Sequence, residues 1–255
     1  MYLEFFHQAS MRVFRGRRDK RGHDSLFGHT FGGSADYEGL SAAPDQPPVH
    51  LLLRLNTDDP AVGVSIPGVR WLPLLCAIRY GACDLGYRVV SDREVKILHQ
   101  AESKAWEDFP YEGYPGHILA APLTLAEWEF DPSDPEHAFF YAGVFGLDAL
   151  SAGEHAAPTR PIERQEAQDI FGQDIAEAYA GDDFAHPFDQ APPAEDCPDP
   201  ECPSHHEASS LRTFAIFREA RAEARNLWGP HCANLQIVYR ICPTCSAIRT
   251  SNSND

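Results

Sequence analysis

The chain has 255 residues, of which 43% are apolar, and its formal net charge is −17. This length and apolar content are enough for one large hydrophobic core or two modest ones, which indicates a globular protein. No apolar run reaches the roughly eighteen residues of a membrane-spanning helix, and the first residues lack the order typical of a secretion signal. We therefore expect a cytoplasmic protein without membrane contact, and the negative charge disfavours nucleic acid as a partner.

The N-terminal part of the chain predicts strands on either side of a basic segment. The apolar stretches 3–6 and 11–14 have the composition of strands. Residues 12–21 hold six Arg or Lys against the single Asp19. We interpret this segment as a solvated loop between strands, and the alternative is a small arm that binds anions or nucleic acid.

The next part of the chain predicts a sheet. The paired glycines of Phe31-Gly32-Gly33 are typical of a tight turn or a close backbone approach, and no GxGxxG or GK[ST] pattern accompanies them. Short apolar runs follow, each bounded by Gly, Pro or Asp, at 51–55, 71–80, 87–90, 95–99 and 139–146. Runs of this length and spacing predict a mainly antiparallel sheet.

Three segments carry helical signals. Residues 119–128 are interpreted as a strand and a short helix, with Thr124 and Glu127 spaced as in a capping box. Residues 161–179 begin with a proline suited to a first helical turn. Residues 211–228 have apolar side chains three and four positions apart, opposite a charged face, and predict the clearest helix of the chain.

The expected fold class is therefore α+β: a mainly antiparallel sheet with a few helices and a C-terminal zinc-ribbon-like element. We expect residues 1–160 to form a mainly β domain. Residues 161–255 are expected to form a helical and zinc-knuckle region that packs on it.

Two close cysteine pairs carry the strongest chemical signal of the sequence. Cys197 and Cys202 have four residues between them, and Cys242 and Cys245 form a Cys-Pro-Thr-Cys motif behind the predicted strand 235–241. Two such loops supply the four thiolates of a tetrahedral structural zinc site. Proline fixes φ and leaves the following amides free to point at sulfur. The sequence predicts a structural zinc ion bound by these four cysteines.

Three alternatives remain for these residues. Cys242 and Cys245 could form a redox pair, but the polar residues after Cys245 do not predict the helix that such a motif opens. Disulfides are disfavoured, because seven cysteines is an odd number and no secretion signal is recognised. His205 or His206 could replace one thiolate as a zinc ligand.

A resemblance can be stated at this point. The order of Phe31-Gly32-Gly33, the apolar run 51–55 and late Cys-x-x-Cys knuckles resembles the programmed-cell-death-two and YwqG-like group. The blocks 71–98 and 235–248 also resemble parts of uncharacterised bacterial proteins with a C-terminal zinc knuckle. The resemblance implies an α+β assembly with a Gly-Gly turn before a strand, and a role through protein contacts rather than catalysis. No cysteine pair directly follows the Gly-Gly segment here, which departs from the group's pattern.

The sequence leaves two classes of function open. It contains no GxSxG, HExxH or deaminase motif, and we predict no catalytic residue. The first class is a zinc-stapled, cytoplasmic protein-interaction protein, adaptor-like or immunity-like, whose acidic residues 163–207 meet a basic protein partner. The second is a metal-dependent hydrolase in which His205 and His206 bind a metal with an open coordination position.

Overall fold

The computed structural model describes residues 2–7, 12–18, 26–40, 49–77, 84–100, 117–128, 196–206, 211–218 and 235–254. These residues form strands and two short 3-10 helices. The strands are β1 Tyr2–His7, β2 Arg12–Arg18, β3 Thr30–Gly33, β4 Val49–Asn56, β5 Trp71–Ala77, β6 Leu85–Ser91, β7 Glu94–Gln100, β8 Ile118–Glu127, β9 Arg212–Arg218, β10 Leu235–Ile241 and β11 Ile248–Asn254. The 3-10 helices are η1 Pro60–Val62 and η2 Pro203–His206.

The chain separates into two compact units. The first comprises Met1–His7, Arg12–Glu127 and Glu195–Asp255 and contains all of these strands; the second comprises Gln8–Met11 and Trp128–Ala194. Apart from Trp128, the second unit lies outside the described residues. In the part of the chain that is described, no helix has the length and apolar character needed to cross a bilayer.

The strands form one antiparallel sheet in the order β5-β4-β3-β8-β2-β1-β9-β10-β11-β6-β7. The expected mainly antiparallel sheet is confirmed. The α+β class is wrong for the described residues, whose helices are the two short 3-10 turns, so the fold there is mainly β. The C-terminal strands β9, β10 and β11 join the same sheet as the N-terminal ones, with β9 paired to β1.

The core is formed by strands from the middle of the sheet as well as from its ends. Its largest fully buried side chains are aromatic residues and leucines of β1, β3, β4, β5, β6, β9 and β10: Leu3, Phe5, Phe31, Leu52, Leu53, Leu55, Leu72, Tyr87, Phe214, Phe217 and Tyr239. Phe31 and Phe217 stack with ring centroids 6.1 Å apart. Burial of this apolar surface is the main stabilising contribution to the sheet.

Side chains from β6 and β11 cover the backbone edge of β5. The hydroxyl of Tyr87 accepts the amide N–H of Leu75 at 3.1 Å and donates to the carbonyl of Pro73 at 3.0 Å. The Thr250 hydroxyl donates to the carbonyl of Leu75 at 3.0 Å. Because β5 ends the strand order, its backbone groups would otherwise need water or another chain. These bonds seal the edge and join the two ends of the sheet.

The predicted helix over residues 211–228 is wrong over its first part, where β9 runs from Arg212 to Arg218. Helical spacing placed Leu211, Phe214 and Ala215 on the apolar face and did not include Ile216 and Phe217 in it. β9 is a central strand, paired with β1 on one edge and β10 on the other. Phe214, Ala215, Ile216 and Phe217 are all buried, which means that both faces of this strand are covered. Tertiary burial therefore overrides the helical pattern.

The capping box at Thr124 and Glu127 is also a wrong prediction. The whole segment Ile118–Glu127 is the strand β8, between β3 and β2. Ala121 and Leu123 are buried while Ala120 and Thr124 are exposed, which is the alternation of a strand. The alternation of buried and exposed residues determines the structure of this segment, and the capping-box pattern does not mark the start of a helix.

The basic segment is likewise not a loop over its first residues. Arg12–Arg18 form β2, paired with β1 and β8, so Arg15 and Arg17 belong to the sheet. The predicted helix 161–179 and the predicted strand 139–146 lie outside the described residues. The paired glycines behave as expected, because Gly32 has φ 67° and a Cβ there would stand 2.6 Å from the carbonyl oxygen of Leu119 in β8.

Candidate metal centre

The second cysteine pair lies in the turn that joins β10 to β11. Ile241 and Ile248 are the last paired residues, and the Cys242 amide donates to the carbonyl of Ala247 at 2.8 Å. The Ser246 amide donates to the carbonyl of Cys242 at 2.9 Å, and Ser246 has φ 59°, in the left-handed region. This tight turn presents both thiols on the same side of the hairpin. A strand, not a helix, follows Cys245, which disfavours a thioredoxin-type redox pair.

The first pair lies on a compact loop closed by local hydrogen bonds. The amide of Cys202 donates to the carbonyl of Asp199 at 3.0 Å, and the amide of His205 donates to the carbonyl of Cys202 at 2.9 Å. The short helix η2 begins directly after Cys202. The Ser204 hydroxyl lies 3.0 Å from that of Thr244, which links this loop to the hairpin turn.

The four thiols come together although the pairs are distant in sequence. Their sulfur atoms all lie within 4.8 Å of one another. Two short contacts join one cysteine of each pair: Cys197 to Cys245 at 3.4 Å and Cys202 to Cys242 at 3.8 Å. In a tetrahedral site with Zn–S bonds of about 2.3 Å, adjacent sulfurs are about 3.8 Å apart. The described residues contain no second group of three or more candidate metal ligands.

Backbone amides point at the sulfurs, as the Cys-Pro-x-Cys motif predicts. Burial raises the pKa of the Cys242 thiol, but the amides of Cys245 and Thr244 and the neighbouring thiols outweigh it, so the pKa lies below its ordinary value. Burial, together with the adjacent thiols, raises the pKa of Cys197, and burial also raises that of Cys245. Cys242 therefore loses its proton more readily than Cys197 or Cys245, and a divalent cation binding here displaces the protons that the thiols carry.

The sequence analysis missed the contacts that seat the first loop on the sheet. Pro198 packs over Gly86 in β6, where an added Cβ would lie 2.5 Å from the Cβ of Pro198. Asp199 is buried and forms an ion pair with Arg88, two positions further along β6. These contacts join residues more than a hundred positions apart, and no spacing pattern in the sequence indicates them. The metal centre is therefore tied to the core sheet through β6 as well as through β10 and β11.

The two histidines proposed as alternative ligands have other surroundings. Nδ1 of His205 lies 2.5 Å from the carbonyl oxygen of Cys197 and donates to it, since a carbonyl only accepts. His206 is exposed, and its ring lies 4.8 Å from that of His205. His205 thus contacts the backbone of Cys197, a candidate metal ligand, and is not itself part of the cluster.

Comparison with known proteins adds no further information about this site. No protein-family model, no curated protein and no solved structure matches the chain.

Proposed function

We propose that this chain is a zinc-stapled, cytoplasmic protein-interaction protein, of the adaptor or immunity type, whose acidic surface binds a basic protein partner. The observation that carries the proposal is the closed cluster of four thiols. Four sulfurs within 4.8 Å of one another can fill the coordination shell of a zinc ion, which then has no position left for a substrate or an activated water. The metal then stabilises the fold, and the function is carried by the protein surface.

Zinc is the metal that this donor set favours. Four thiolates in tetrahedral arrangement select zinc or iron, and a zinc ion brings no redox chemistry to the site. The experiment is elemental analysis of protein purified without added metal, together with a thiol count. We expect one zinc per chain. A protein that folds and contains no metal, or contains iron instead, would overturn this part of the proposal.

The acidic segment supports a basic partner. Residues 163–207 contain thirteen Asp or Glu and one basic residue, Arg164. Of this segment the structure describes residues 196–206. Asp196 and Glu201 are exposed there, whereas Asp199 is buried and forms an ion pair with Arg88. Exposed carboxylates accelerate association with a basic protein by long-range attraction. The same charge repels phosphates, so we expect poor binding of duplex DNA at physiological salt.

The test is an association rate. A partner is isolated by pull-down with the wild-type chain, and its association rate is measured at two salt concentrations for the triple variant Asp182→Asn, Asp183→Asn, Asp189→Asn. We expect slower association, a weaker salt dependence and unchanged zinc content. The anchors predicted beside these carboxylates are Phe184 and Phe188, which lie with them outside the described residues.

A matched control carries the same charge change elsewhere. Asp58→Asn, Glu38→Gln and Glu94→Gln alter three exposed residues of the described sheet. The proposal predicts little effect from this control. If both triple variants slow association equally, net charge alone is responsible and the acidic segment is not the binding surface.

The hydrolase interpretation makes a different prediction. It requires metal-dependent turnover of a small ester or phosphoester that is abolished by His205→Ala or His206→Ala. The candidate metal-ligand cluster of the described residues contains the four cysteines and neither histidine, which supports a structural role for the metal instead. Such turnover, with zinc that exchanges readily, would favour the enzyme over the interaction protein.

A further inference from the structure

A preformed cleft lies away from the cysteines, between the loop after β3 and the turn from β6 to β7. Its volume is about 600 Å³, and its walls include Tyr37, Arg54, Trp71, Asp92 and Arg93. This volume is within the range of small-molecule sites. Neither the proposed protein partner nor the metal centre accounts for it.

Backbone hydrogen bonds hold the two walls in place. The amide of Glu38 donates to the carbonyl of Arg93 at 2.8 Å, and the amide of Val95 donates to the carbonyl of Glu38 at 2.9 Å. On the other side one carboxylate oxygen of Asp92 accepts the amides of Arg70 and Trp71, at 2.7 Å and 2.8 Å. The cleft therefore does not need to be formed by a ligand.

The cleft presents a cation on an aromatic ring. The guanidinium carbon of Arg54 lies 4.8 Å from the centroid of the Trp71 ring. Among the described residues no carboxylate forms an ion pair with Arg54 or with Arg93 on the opposite wall. Arg54 is exposed, and its position over Trp71 favours an orientation in which the guanidinium can bind a planar anion through two parallel hydrogen bonds.

Tyr37 adds a hydroxyl beside this cation. Among the described residues its hydroxyl has no hydrogen-bond partner. Burial raises the pKa of Tyr37, while the charge of Arg54 lowers it and that of Asp92 raises it, so the phenol stands within the field of both. Asp92 has already given one oxygen to two amides, and its second oxygen is available to a donor group of a ligand. Asp36, at the exposed rim, keeps the cleft from being strongly positive overall.

We propose that this cleft binds a small aromatic carboxylate, with the carboxylate on Arg54 and the Tyr37 hydroxyl and the flat ring against Trp71. The ring provides the apolar contact with Trp71. A hydroxyl or amine on the far side of the ring meets the free oxygen of Asp92. An anion without a ring would contact only Arg54, and a neutral ring would contact only Trp71, so each should bind more weakly than an aromatic carboxylate.

The test uses 4-hydroxybenzoate as the probe and 4-hydroxybenzamide as its neutral counterpart, in titrations of full-length, zinc-loaded protein followed by NMR. We expect saturable binding of the carboxylate and shifts of the Trp71 indole signal, assigned with Trp71→Phe. Removal of the charge in Arg54→Gln is expected to weaken binding about tenfold to a hundredfold, the usual worth of a charge-assisted hydrogen bond. Tyr37→Phe is expected to weaken it by a smaller factor.

Arg70→Gln is the matched control variant. Arg70 also lies over Trp71, at 5.6 Å, but it pairs with Asp58 at the surface and does not line the cleft, so its affinity should stay within about twofold of wild type. Zinc content and melting temperature verify that each variant is folded. Equal affinities of Arg54→Gln and wild type, equal binding of the amide, or no saturation at millimolar probe would overturn the proposal. Equal binding of inorganic phosphate would reject the aromatic part.

Discussion

Replacing Arg88 by Met is expected to destabilise the protein by about 3 kcal/mol, because it leaves a buried carboxylate without its cation. The Asp199 side chain is 1% exposed, and that of Arg88 is 31% exposed. After the replacement Asp199 keeps the amide of Glu201, at 3.1 Å, as a neutral hydrogen-bond donor. Met resembles the apolar stem of the Arg88 side chain, so the decrease in the free energy of unfolding measures mainly the loss of the positive charge.

The two members of this ion pair are expected to respond unequally. In Asp199→Asn the remaining guanidinium of Arg88 reaches water, and the Asn oxygen still accepts the Glu201 amide, so the cost should be about 1 kcal/mol. The double variant Arg88→Met/Asp199→Asn contains no buried charge. It should therefore be more stable than Arg88→Met alone, although it carries one more substitution.

The measurements are urea unfolding at a fixed excess of zinc and competition for zinc with a chromophoric chelator. If the pair seats the first cysteine loop, a loss of about 3 kcal/mol weakens zinc binding about a hundredfold. Arg70→Met is the control, because its ion pair with Asp58 is about 60% exposed on both sides and should contribute little. A double variant that loses the sum of the two single losses, or an Asp199→Asn loss larger than that of Arg88→Met, would refute this reasoning.

Three further predictions test the packing of Pro198 on Gly86, the metal ligands and the backbone edge of β5. Gly86→Ala brings a methyl group against the Cβ of Pro198 and should cost about 1–3 kcal/mol in urea unfolding, partly restored by Pro198→Gly, which removes that Cβ; no loss would mean that the loop does not pack there. Cys242→Ser should release zinc, whereas Cys76→Ser, at a buried position of β5, should retain it. The zinc content of both variants is measured by elemental analysis, and equal retention would contradict the assignment of the ligands. Tyr87→Phe leaves two backbone groups of β5 without their partner and should cost about 1–3 kcal/mol, seen as a lower melting temperature; an unchanged melting temperature means that water replaces the hydroxyl.

Local patterns predicted the parts of this protein that local physics controls. The strand 235–241 was predicted from its alternation and coincides with β10. The four cysteines were singled out from their spacing alone, because a short turn with two thiols can bind a metal in many different structural surroundings. The turn geometry at Gly32 was likewise predictable, since few other residues adopt its φ.

What remained unpredictable depends on contacts between distant segments. Ile216 and Phe217 are consecutive and both buried, so both faces of β9 are covered by other parts of the fold, and the sequence around them does not reveal this. The same holds for Pro198 on Gly86. The cleft at Trp71 combines residues from several strands and turns. No local sequence pattern around any one of these residues indicates a binding site.

The pairing of β1 with β9 has a consequence for how the chain folds during synthesis. Leu3 and Phe217 are register partners more than two hundred positions apart. At the elongation rates of ribosomes, about 5–20 residues per second, β1 leaves the ribosome many seconds before its second neighbour exists. During that interval one side of β1 has unpaired amides and carbonyls that other nascent chains can join. Pairing over such a separation also places this protein among the slower-folding topologies. Production at low temperature, or with a chaperone that shields extended segments, should therefore raise the yield of folded protein more than changes near the cysteine cluster do.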